Sequence, residues 1–343
     1  MLSRSAIIGF GMYLPAKRIR AAEIAAHWRQ DPLTVRKGLG IEEKTVPDRG
    51  EDSFTFACEA GRQAISLSGI QSSEISACFV GSESHPYAVK PTSGMVAAAL
   101  TLHPFCHCAD LEFACKAGTA AIQIIDAFVR SKQIRYGLAI GADTAQAKPG
   151  DALEYTAAAG AAAFLLGPEN AKNALCRIDA TLSFTTDTPD FWRPAGQQHP
   201  SHAGRFTGEP AYFRHVREAL KGMLAIGKYE PKDIDHVVLH MPNAKFPARI
   251  AGEFGFTAEQ MRLGLIVECI GNTYSACSPI GLAHVLQHAG KGDTILLVSY
   301  GSGAGSDAFL MTMLKNGVKL PADKRKPQYL TYAEYWQLAR QRH

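Results

Sequence analysis

The fold is decided by the stretch Asp110-Leu-Glu-Phe-Ala-Cys-Lys-Ala-Gly-Thr-Ala-Ala-Ile-Gln123. Within it, Cys115 stands where an extended run ends and a helix-forming run over residues 118–129 begins. Small neighbouring side chains would let a thioester come close. Because the dipole and free N–H groups at a helix N-terminus favour the thiolate, the pattern predicts a nucleophilic thiol there. A buried structural cysteine is the commoner alternative.

The composition is that of an ordinary globular protein with a full hydrophobic core. The chain has 343 residues, of which 46% are hydrophobic and 20% charged. This length allows one large domain or two fused ones. The net charge of +4 is small and scattered, which argues against a dedicated nucleic-acid surface but suits an anionic small ligand.

The cysteines and the N-terminus indicate a cytoplasmic protein. Eight cysteines lie at irregular spacings along a long chain, so we expect free thiols in a reducing compartment. The first ten residues lack a signal-peptide pattern, and no apolar run approaches membrane-spanning length. We therefore expect no membrane contact.

Two parts of the chain repeat the same order of features. Strands that end in polar loops are predicted before Glu83 and before His240, and helices that begin among small residues follow Cys115 and residues 272–277. This repetition predicts two duplicated αβ units with a site between them. The predicted boundaries are an N-terminal half (1–170), a polar site-lining excursion (171–210), a C-terminal half (211–318) and a tail (319–343).

Three chemically capable side chains are predicted at loop positions, namely Glu83, Cys115 and His240. A cysteine with a neighbouring histidine is the minimal pair for covalent catalysis, and Asn272 could orient the substrate or the histidine. The carboxylate adds a general acid/base. The alternatives are a capping carboxylate, a structural histidine and a turn asparagine, each common in proteins.

Other patterns are interpreted as structural. The glycines at 9–11 lack the third glycine and the helix of a dinucleotide fingerprint, and no Lys-Ser/Thr follows the glycine run at 301–305. The histidines and cysteines of residues 103–108 do not have zinc-site spacing, so no metal site is predicted. Lys116 is interpreted as a solvated side chain, and Asp52 as the N-cap of a helix over 53–66.

The chain resembles the thiolase superfamily of condensing enzymes, and within it the archaeal type of 3-hydroxy-3-methylglutaryl-CoA (HMG-CoA) synthase. The resemblance covers nearly the whole chain and includes Gly81-Ser-Glu-Ser-His-Pro-Tyr87 and Gly271-Asn-Thr-Tyr-Ser275. The matching motifs lie at residues 81–93, 110–118, 139–145, 149–156, 185–193, 204–210, 271–275 and 299–309.

The resemblance implies an α/β thiolase-like fold, with two duplicated αβ halves in a layered α-β-α-β-α arrangement. It also implies that acetyl-CoA, acetoacetyl-CoA and water react to give HMG-CoA in the mevalonate pathway of isoprenoid biosynthesis. Cys115 would carry the acetyl group, and Glu83 would act as general acid/base. His240 would polarise the ketone of acetoacetyl-CoA.

The resemblance further assigns substrate contacts. The residues implied at the acyl groups are Asn272, Ser302, Thr156 and Thr207, with an oxyanion site at the backbone near Ser302. The residues implied at coenzyme A are Arg205, Lys245, Arg249, Asp31 and Pro32. No metal, flavin or nicotinamide cofactor is implied, since both CoA thioesters are substrates.

The family also implies partners. A homodimer is expected, as is assembly with an acetoacetyl-CoA thiolase through a small OB-fold bridging protein. The aromatic tail after residue 328 could dock such a partner or cap its own chain. Two alternatives stay open, namely a related acyltransferase of secondary metabolism and a channelling subunit of a thiolase complex.

Two residues depart from the family pattern. Met241 stands where a glutamine is expected after the histidine, and Cys277 stands where a smaller residue is usual. We expect the first to alter how His240 is held, and the second to place another thiol near Cys115.

Overall fold

A computed structural model describes residues 4–144 and 147–340, apart from the Arg205 side chain. The strands are β1 (Ser5–Tyr13), β2 (Lys17–Arg20), β3 (Glu43–Val46), β4 (Ile75–Gly81), β5 (His107–Leu111), β6 (Tyr136–Thr144), β7 (Ala159–Pro168), β8 (Cys176–Thr185), β9 (Phe191–Trp192), β10 (Ser201–His202), β11 (His236–Leu239), β12 (Thr294–Val298), β13 (Gly305–Met313) and β14 (Gln328–Tyr329). The helices are α1 (Ala21–His27), α2 (Pro32–Leu39), α3 (Ser53–Ser68), α4 (Thr92–Ala99), α5 (Ala117–Arg130), α6 (Gly204–Phe206), α7 (Phe213–Gly227), α8 (Lys245–Phe254), α9 (Ala258–Met261), α10 (Val267–Ile270), α11 (Cys277–Leu286) and α12 (Tyr332–Arg340).

A nine-stranded mixed sheet runs through the molecule in the order β11-β12-β13-β8-β1-β7-β6-β4-β5. On one side of the β1–β8 pair the order outward is β1, β7, β6, β4, and on the other it is β8, β13, β12, β11. The pairings match as well, since β4 is parallel to β6 and β11 is parallel to β12. The sheet therefore consists of two similarly built parts, with β5 as an additional edge strand.

Helices cover both faces of this sheet in layers. One apolar cluster combines side chains of α5 and α11 with strand residues from both parts, including Phe79, Val238 and Leu297. A second cluster packs α3 against β1, β6 and β7, and a third packs α7 against β12 and β13. Helices α5 and α11 are thus enclosed between the two parts of the sheet, which is the predicted layered α/β arrangement.

Local sequence signals explain several helix ends. Asp52 caps α3 as predicted, because its carboxylate accepts the Thr55 N–H at 2.8 Å and the Thr55 hydroxyl accepts the Asp52 N–H. The helix ends at Gly69, whose φ of +66° few other residues adopt at low cost. The helix runs to Ser68, two residues beyond the predicted end.

One segment differs from its sequence interpretation, and in a second the structure favours one of the two alternatives left open. The predicted excursion over 171–210 contains β8, which pairs with β13 and β1 inside the central sheet. Its run Cys-Arg-Ile-Asp-Ala-Thr alternates as a strand does, and that alternation was the available signal. In the tail, helix α12 buries Tyr332 and Tyr335 against its own chain. The aromatic tail is an intramolecular cap.

None of the helices in the described part of the chain is long and apolar enough to cross a membrane.

Candidate active site

The sulfur of Cys115 lies 2.9 Å from Oε1 of Glu83, and the thiol donates to the carboxyl group. Glu83 follows the C-terminal end of β4, where a parallel strand delivers its loop to the edge of the sheet. Cys115 lies in the tight turn Ala114–Lys116 immediately before α5 and is buried. Two residues 32 positions apart in sequence thus form one hydrogen-bonded pair.

Burial and mutual contact change how both groups of this pair ionise. Burial raises the pKa of the Cys115 thiol well above its usual value, and the neighbouring Glu83 raises it further. Burial and the charge of Asp143 raise the pKa of Glu83 to about 8. In the unliganded protein the helix N-terminus does not outweigh these effects, so the expected thiolate is not the resting form.

Asp143 holds the loop that carries Glu83. This buried residue at the end of β6 accepts the Glu83 N–H at 2.8 Å, the Ser82 hydroxyl at 2.8 Å and the Ser84 hydroxyl at 2.7 Å. Its second oxygen accepts the Ser275 N–H at 2.8 Å. Asp143 lies in the motif at 139–145, but no role is predicted for it, because its partners are 59 to 132 positions away in the sequence.

His240 follows β11, which is an edge strand of the central sheet, and is nevertheless almost completely buried. Burial lowers its pKa to about 3, so the imidazole is neutral at physiological pH. Its backbone carbonyl accepts the Tyr212 hydroxyl at 2.7 Å, and its ring centroid is 6.1 Å from that of Tyr300. Nδ1 is buried without a hydrogen-bond partner among the described residues, and can therefore serve a substrate.

The two residues that depart from the family pattern touch each other. The Met241 N–H donates to the sulfur of Cys277 at 3.3 Å, and this sulfur lies 3.7 Å from the Met241 carbonyl oxygen. Cys277 is the first residue of α11. A negative charge on its sulfur would raise the pKa of the Cys115 thiol. Met241 itself packs into the apolar cluster that contains the tail helix α12. The contact fixes the loop after His240 to the start of α11.

Asn272 and Thr156 lie side by side. The Asn272 N–H donates to the Thr156 carbonyl at 2.7 Å, and the Asn272 carbonyl accepts the Ala158 N–H at 2.9 Å. The Asn272 side chain accepts the Tyr274 N–H, which is the turn role considered from the sequence. Tyr274 and Ala157 pack against Cys115 in one small cluster, so this junction borders the sulfur.

The loop that contains Ser302 joins β12 to β13. Gly301 and Gly305 exchange N–H···O bonds of 2.8 and 2.9 Å, which makes residues 301–305 a closed hairpin. The buried Asp190 accepts the Gly303 N–H at 2.9 Å and the Tyr300 hydroxyl at 2.7 Å. Asp190 lies in the segment after β8 and was not singled out from the sequence, since its partners are over 100 residues away.

Lys116 is not solvated, which corrects the sequence interpretation. Its ammonium group is buried and lies 2.9 Å from one oxygen and 3.1 Å from the other oxygen of Asp307, itself fully buried. Burial of a lysine requires such a partner, because an unpaired charge would lose its hydration. Only the folded chain brings these residues together, as 191 positions separate them.

The residues expected at coenzyme A lie mostly at the surface. Lys245 and Arg249 are exposed on α8, where Arg249 also pairs with Glu253 and stacks on the Phe213 ring. The Leu39 carbonyl at the end of α2 accepts the Ala244 N–H, so α2 lies beside the start of α8.

The remaining predicted contacts show local roles. Asp31 is the N-cap of α2, Pro32 is its first residue, and the Thr207 hydroxyl donates to the Gly204 carbonyl. The Arg205 side chain lies outside the described part.

A cleft of about 650 Å³ reaches Glu83 from the surface. Glu83, Ala114, Phe191 and Tyr274 line its inner end, beside Cys115. Arg193 lines it as well and donates to the Glu83 carbonyl at 3.0 Å. Glu83 therefore borders an open cleft, whereas Cys115 is buried beside it.

The chain is similar to known proteins over almost its full length. It is 52% identical over 336 residues to the hydroxymethylglutaryl-CoA synthase of Methanocaldococcus jannaschii, covering 96% of each chain. It is 53% identical over 332 residues to the enzyme of that name from Archaeoglobus fulgidus, again covering 96% of each. Residues 224–313 match the family model of the 3-oxoacyl-[acyl-carrier-protein] synthase III C-terminal part.

A solved structure supports the same fold. A crystal structure of an HMG-CoA synthase complexed with CoA superposes with a TM-score of 0.88 at 23% identity, covering 98% of this chain and 90% of the other.

Proposed function

The chain belongs to the hydroxymethylglutaryl-CoA synthase family, and from this premise we propose how its own residues carry out the condensation. The overall reaction joins acetyl-CoA, acetoacetyl-CoA and water to give HMG-CoA and free CoA. The observation that carries the assignment of residues is the 2.9 Å contact between Cys115 and Glu83 at the start of α5.

In the first step Cys115 attacks the acetyl-CoA thioester, and the departing CoA thiolate takes up the proton that the cysteine loses. The hairpin at 301–305 and the Asn272 side chain bind the oxygen on which negative charge develops. The thiol is buried among Ala157 and Tyr274, so the acetyl group is sheltered from bulk water. The product is an acetyl thioester on Cys115.

In the second step the Glu83 carboxylate removes a methyl proton from acetyl-Cys115, and the carbon attacks the ketone of acetoacetyl-CoA. A base with a pKa of about 8 binds this proton more strongly than an ordinary carboxylate. Neutral His240 donates a hydrogen bond to the ketone oxygen, a role that its lowered pKa and unpartnered Nδ1 support. The proton held by Glu83 then passes to the new alkoxide oxygen, which becomes the tertiary hydroxyl group. Water hydrolyses the Cys115 thioester, which restores the cysteine thiol and releases HMG-CoA.

Substitutions at two residues separate these steps. Cys115→Ala should abolish both the burst of free CoA from acetyl-CoA and the acetyl label. Glu83→Ala should keep the burst, because removing the carboxylate also removes one cause of the raised thiol pKa. It should yield no HMG-CoA by mass spectrometry when acetoacetyl-CoA is added.

The matched control is Glu112→Ala, which removes an exposed carboxylate of the same cleft. It should release CoA and form HMG-CoA at the wild-type rate. Acetyl label on Cys115→Ala, or HMG-CoA from Glu83→Ala, would refute the assignment.

Lys245 and Arg249 bind the phosphates of coenzyme A in this proposal, with α2 and its N-terminal residues Asp31 and Pro32 beside them. Their exposure leaves both cations able to meet an anionic ligand. In this proposal Arg205 also serves the CoA phosphates, whereas Thr207 and Thr156 line the acyl pocket. The reaction uses two CoA thioesters and water, so we propose that it needs no metal or redox cofactor.

We also propose a homodimer in which β5 meets its counterpart. This strand is the edge of the central sheet and its outer backbone groups can pair with another strand. Phe105 and Val89, 88% and 95% exposed, lie in neighbouring loops and would be covered. Light scattering should give twice the chain mass, and Phe105→Glu should lower it.

The cellular setting is proposed on chemical grounds. A catalytic thiol must stay reduced, which the cytoplasm provides. We propose that the product enters the mevalonate pathway, and that an acetoacetyl-CoA thiolase, held by a small OB-fold protein, supplies the second substrate. Co-purification of the three proteins with higher HMG-CoA output than the isolated synthase would support this assembly.

A further inference from the structure

Behind the nucleophile lies a buried ion pair to which the proposed mechanism gives no role. Lys116 and Asp307 are in bidentate contact, and both are almost completely buried. Asp307 also accepts the Thr119 hydroxyl at 2.9 Å and the Ser183 hydroxyl at 2.7 Å. The carboxylate thus has donors from α5, from β8 and from the residue next to Cys115.

Stability alone is a weak reason for such a pair. Two charges lose their hydration on burial, and a well-packed apolar pair of similar volume is often as stable or more so. What the pair does provide is a fixed geometry. Two hydroxyl groups hold the Asp307 carboxylate, and its two oxygens in turn hold the Lys116 side chain in one conformation.

The carbons of Lys116, together with Phe113, form the surface against which the 301–305 hairpin packs. A methyl group added at Gly301 would lie 2.9 Å from Cγ of Lys116, and one added at Gly305 would lie 3.0 Å from its Cε. The glycines therefore allow the hairpin to lie directly on this side chain. Asp307 itself belongs to β13, which begins at Gly305.

We propose that Lys116 and Asp307 are positioning residues for the reaction, and that their ion pair sets the distance between Cys115 and the hairpin that carries Ser302. Lys116 is the residue next to Cys115 in the chain, and Asp307 lies in the strand that follows the hairpin. The ion pair therefore connects the attacking sulfur to the hairpin that carries Ser302, whose backbone is the proposed oxyanion site. This inference rests on the proposed acetylation of Cys115.

Three variants test the proposal by the burst of CoA release from acetyl-CoA, expressed per folded enzyme. They are Lys116→Met, Asp307→Asn and the double variant with both changes. Each should acetylate at least about fivefold more slowly than the wild type with KM for acetyl-CoA little changed, because small displacements from an oxyanion site cost rate rather than binding.

The double variant separates position from stability. Each single variant leaves an uncompensated buried group, so its melting temperature should fall. The double variant should regain much of that loss while its acetylation stays slow. Acetylation within about fivefold of the wild type in the double variant would overturn the proposal and leave the pair a structural one.

Arg130→Met is the matched control at the other end of α5. It removes the 2.7 Å contact of Arg130 with the buried Asp126, and should lower the melting temperature without slowing acetylation. Equal slowing in this control would also overturn the proposal. A wild-type enzyme that releases no CoA from acetyl-CoA would instead refute the proposed function, which keeps the two failures distinct.

Discussion

The main-chain N–H of Glu83 donates to Oδ1 of Asp143 at 2.8 Å, so the loop that carries one carboxyl group is held by the other, which is buried. The arrangement holds the Glu83 loop while it makes the Glu83 side chain harder to ionise. One residue thus controls both the position and the basicity of the proposed base.

Asp143→Asn should shift the pH dependence of condensation to lower pH. The negative charge of Asp143 disfavours ionised Glu83, so its removal lowers the Glu83 pKa from about 8 and makes the base form available earlier. The measurement is kcat/KM for acetoacetyl-CoA between pH 6 and 9. Glu112→Gln should leave unchanged the pH range over which kcat/KM rises. If this range is also unchanged in Asp143→Asn, the prediction is contradicted.

Glu83→Gln should gain stability relative to the wild type as pH rises. The folded protein keeps the Glu83 proton up to about pH 8, whereas the unfolded chain loses it near the ordinary value of 4.5. Between these values the folded state binds more protons, so wild-type stability declines with increasing pH and the variant lacks this decline. Urea unfolding at pH 5 and pH 8 measures the free energy of unfolding of both proteins. If the difference between them is the same at both pH values, the Glu83 pKa is not raised.

His240→Asn should remove part of the acid sensitivity of folding. The folded imidazole has a pKa of about 3 and the unfolded one about 6.5, so only the unfolded state gains this proton as pH falls from 6.5 to 3. Wild-type stability is therefore lost across that window, and the variant should lose less. Thermal unfolding at pH 7 and pH 5 checks this, and an equal loss of stability in the wild type and the variant would contradict it.

Met241→Gln, which restores the residue expected in the family, should destabilise this chain by about 1–3 kcal/mol. Met241 is 2% exposed in an apolar cluster, and its Cε reaches the position where Gly281 lacks a side chain. An amide there would be buried among apolar groups. Met241→Leu, which keeps the volume, should cost less than about 1.5 kcal/mol. Equal free energies of unfolding for the two variants would disprove this account.

Tyr332→Phe should loosen the tail helix. The Tyr332 hydroxyl donates to the fully buried Glu154 at 3.0 Å, and this carboxylate also accepts Trp28 Nε1 at 2.9 Å. Losing one donor to a buried charge costs about 1–3 kcal/mol. Denaturant unfolding measures the loss, and Tyr329→Phe, at an exposed ring, should be near neutral. No loss in Tyr332→Phe would show that Glu154 does not anchor α12.

Local signals in the sequence were sufficient for much of the architecture. The capping pattern at Asp52 and the small residues after Cys115 predicted where α3 and α5 begin. The family resemblance and the layered α/β class were confirmed by relatives at about 50% identity and by the superposed fold. Strand β8 was missed because polar and proline-rich sequence follows it directly.

The sequence alone was sufficient for most of the helices and central strands other than β8, for the family, and for a short set of reactive side chains at strand and helix ends. Such features depend on residues within a few positions of one another, because helix and strand propensities and the spacing of apolar residues are local properties. Only the tertiary structure decided that Lys116 is paired with Asp307, that burial and Asp143 together raise the Glu83 pKa, and that burial raises the pKa of the Cys115 thiol. Those properties depend on burial and on charges more than a hundred residues away or across neighbouring strands, which no local pattern encodes.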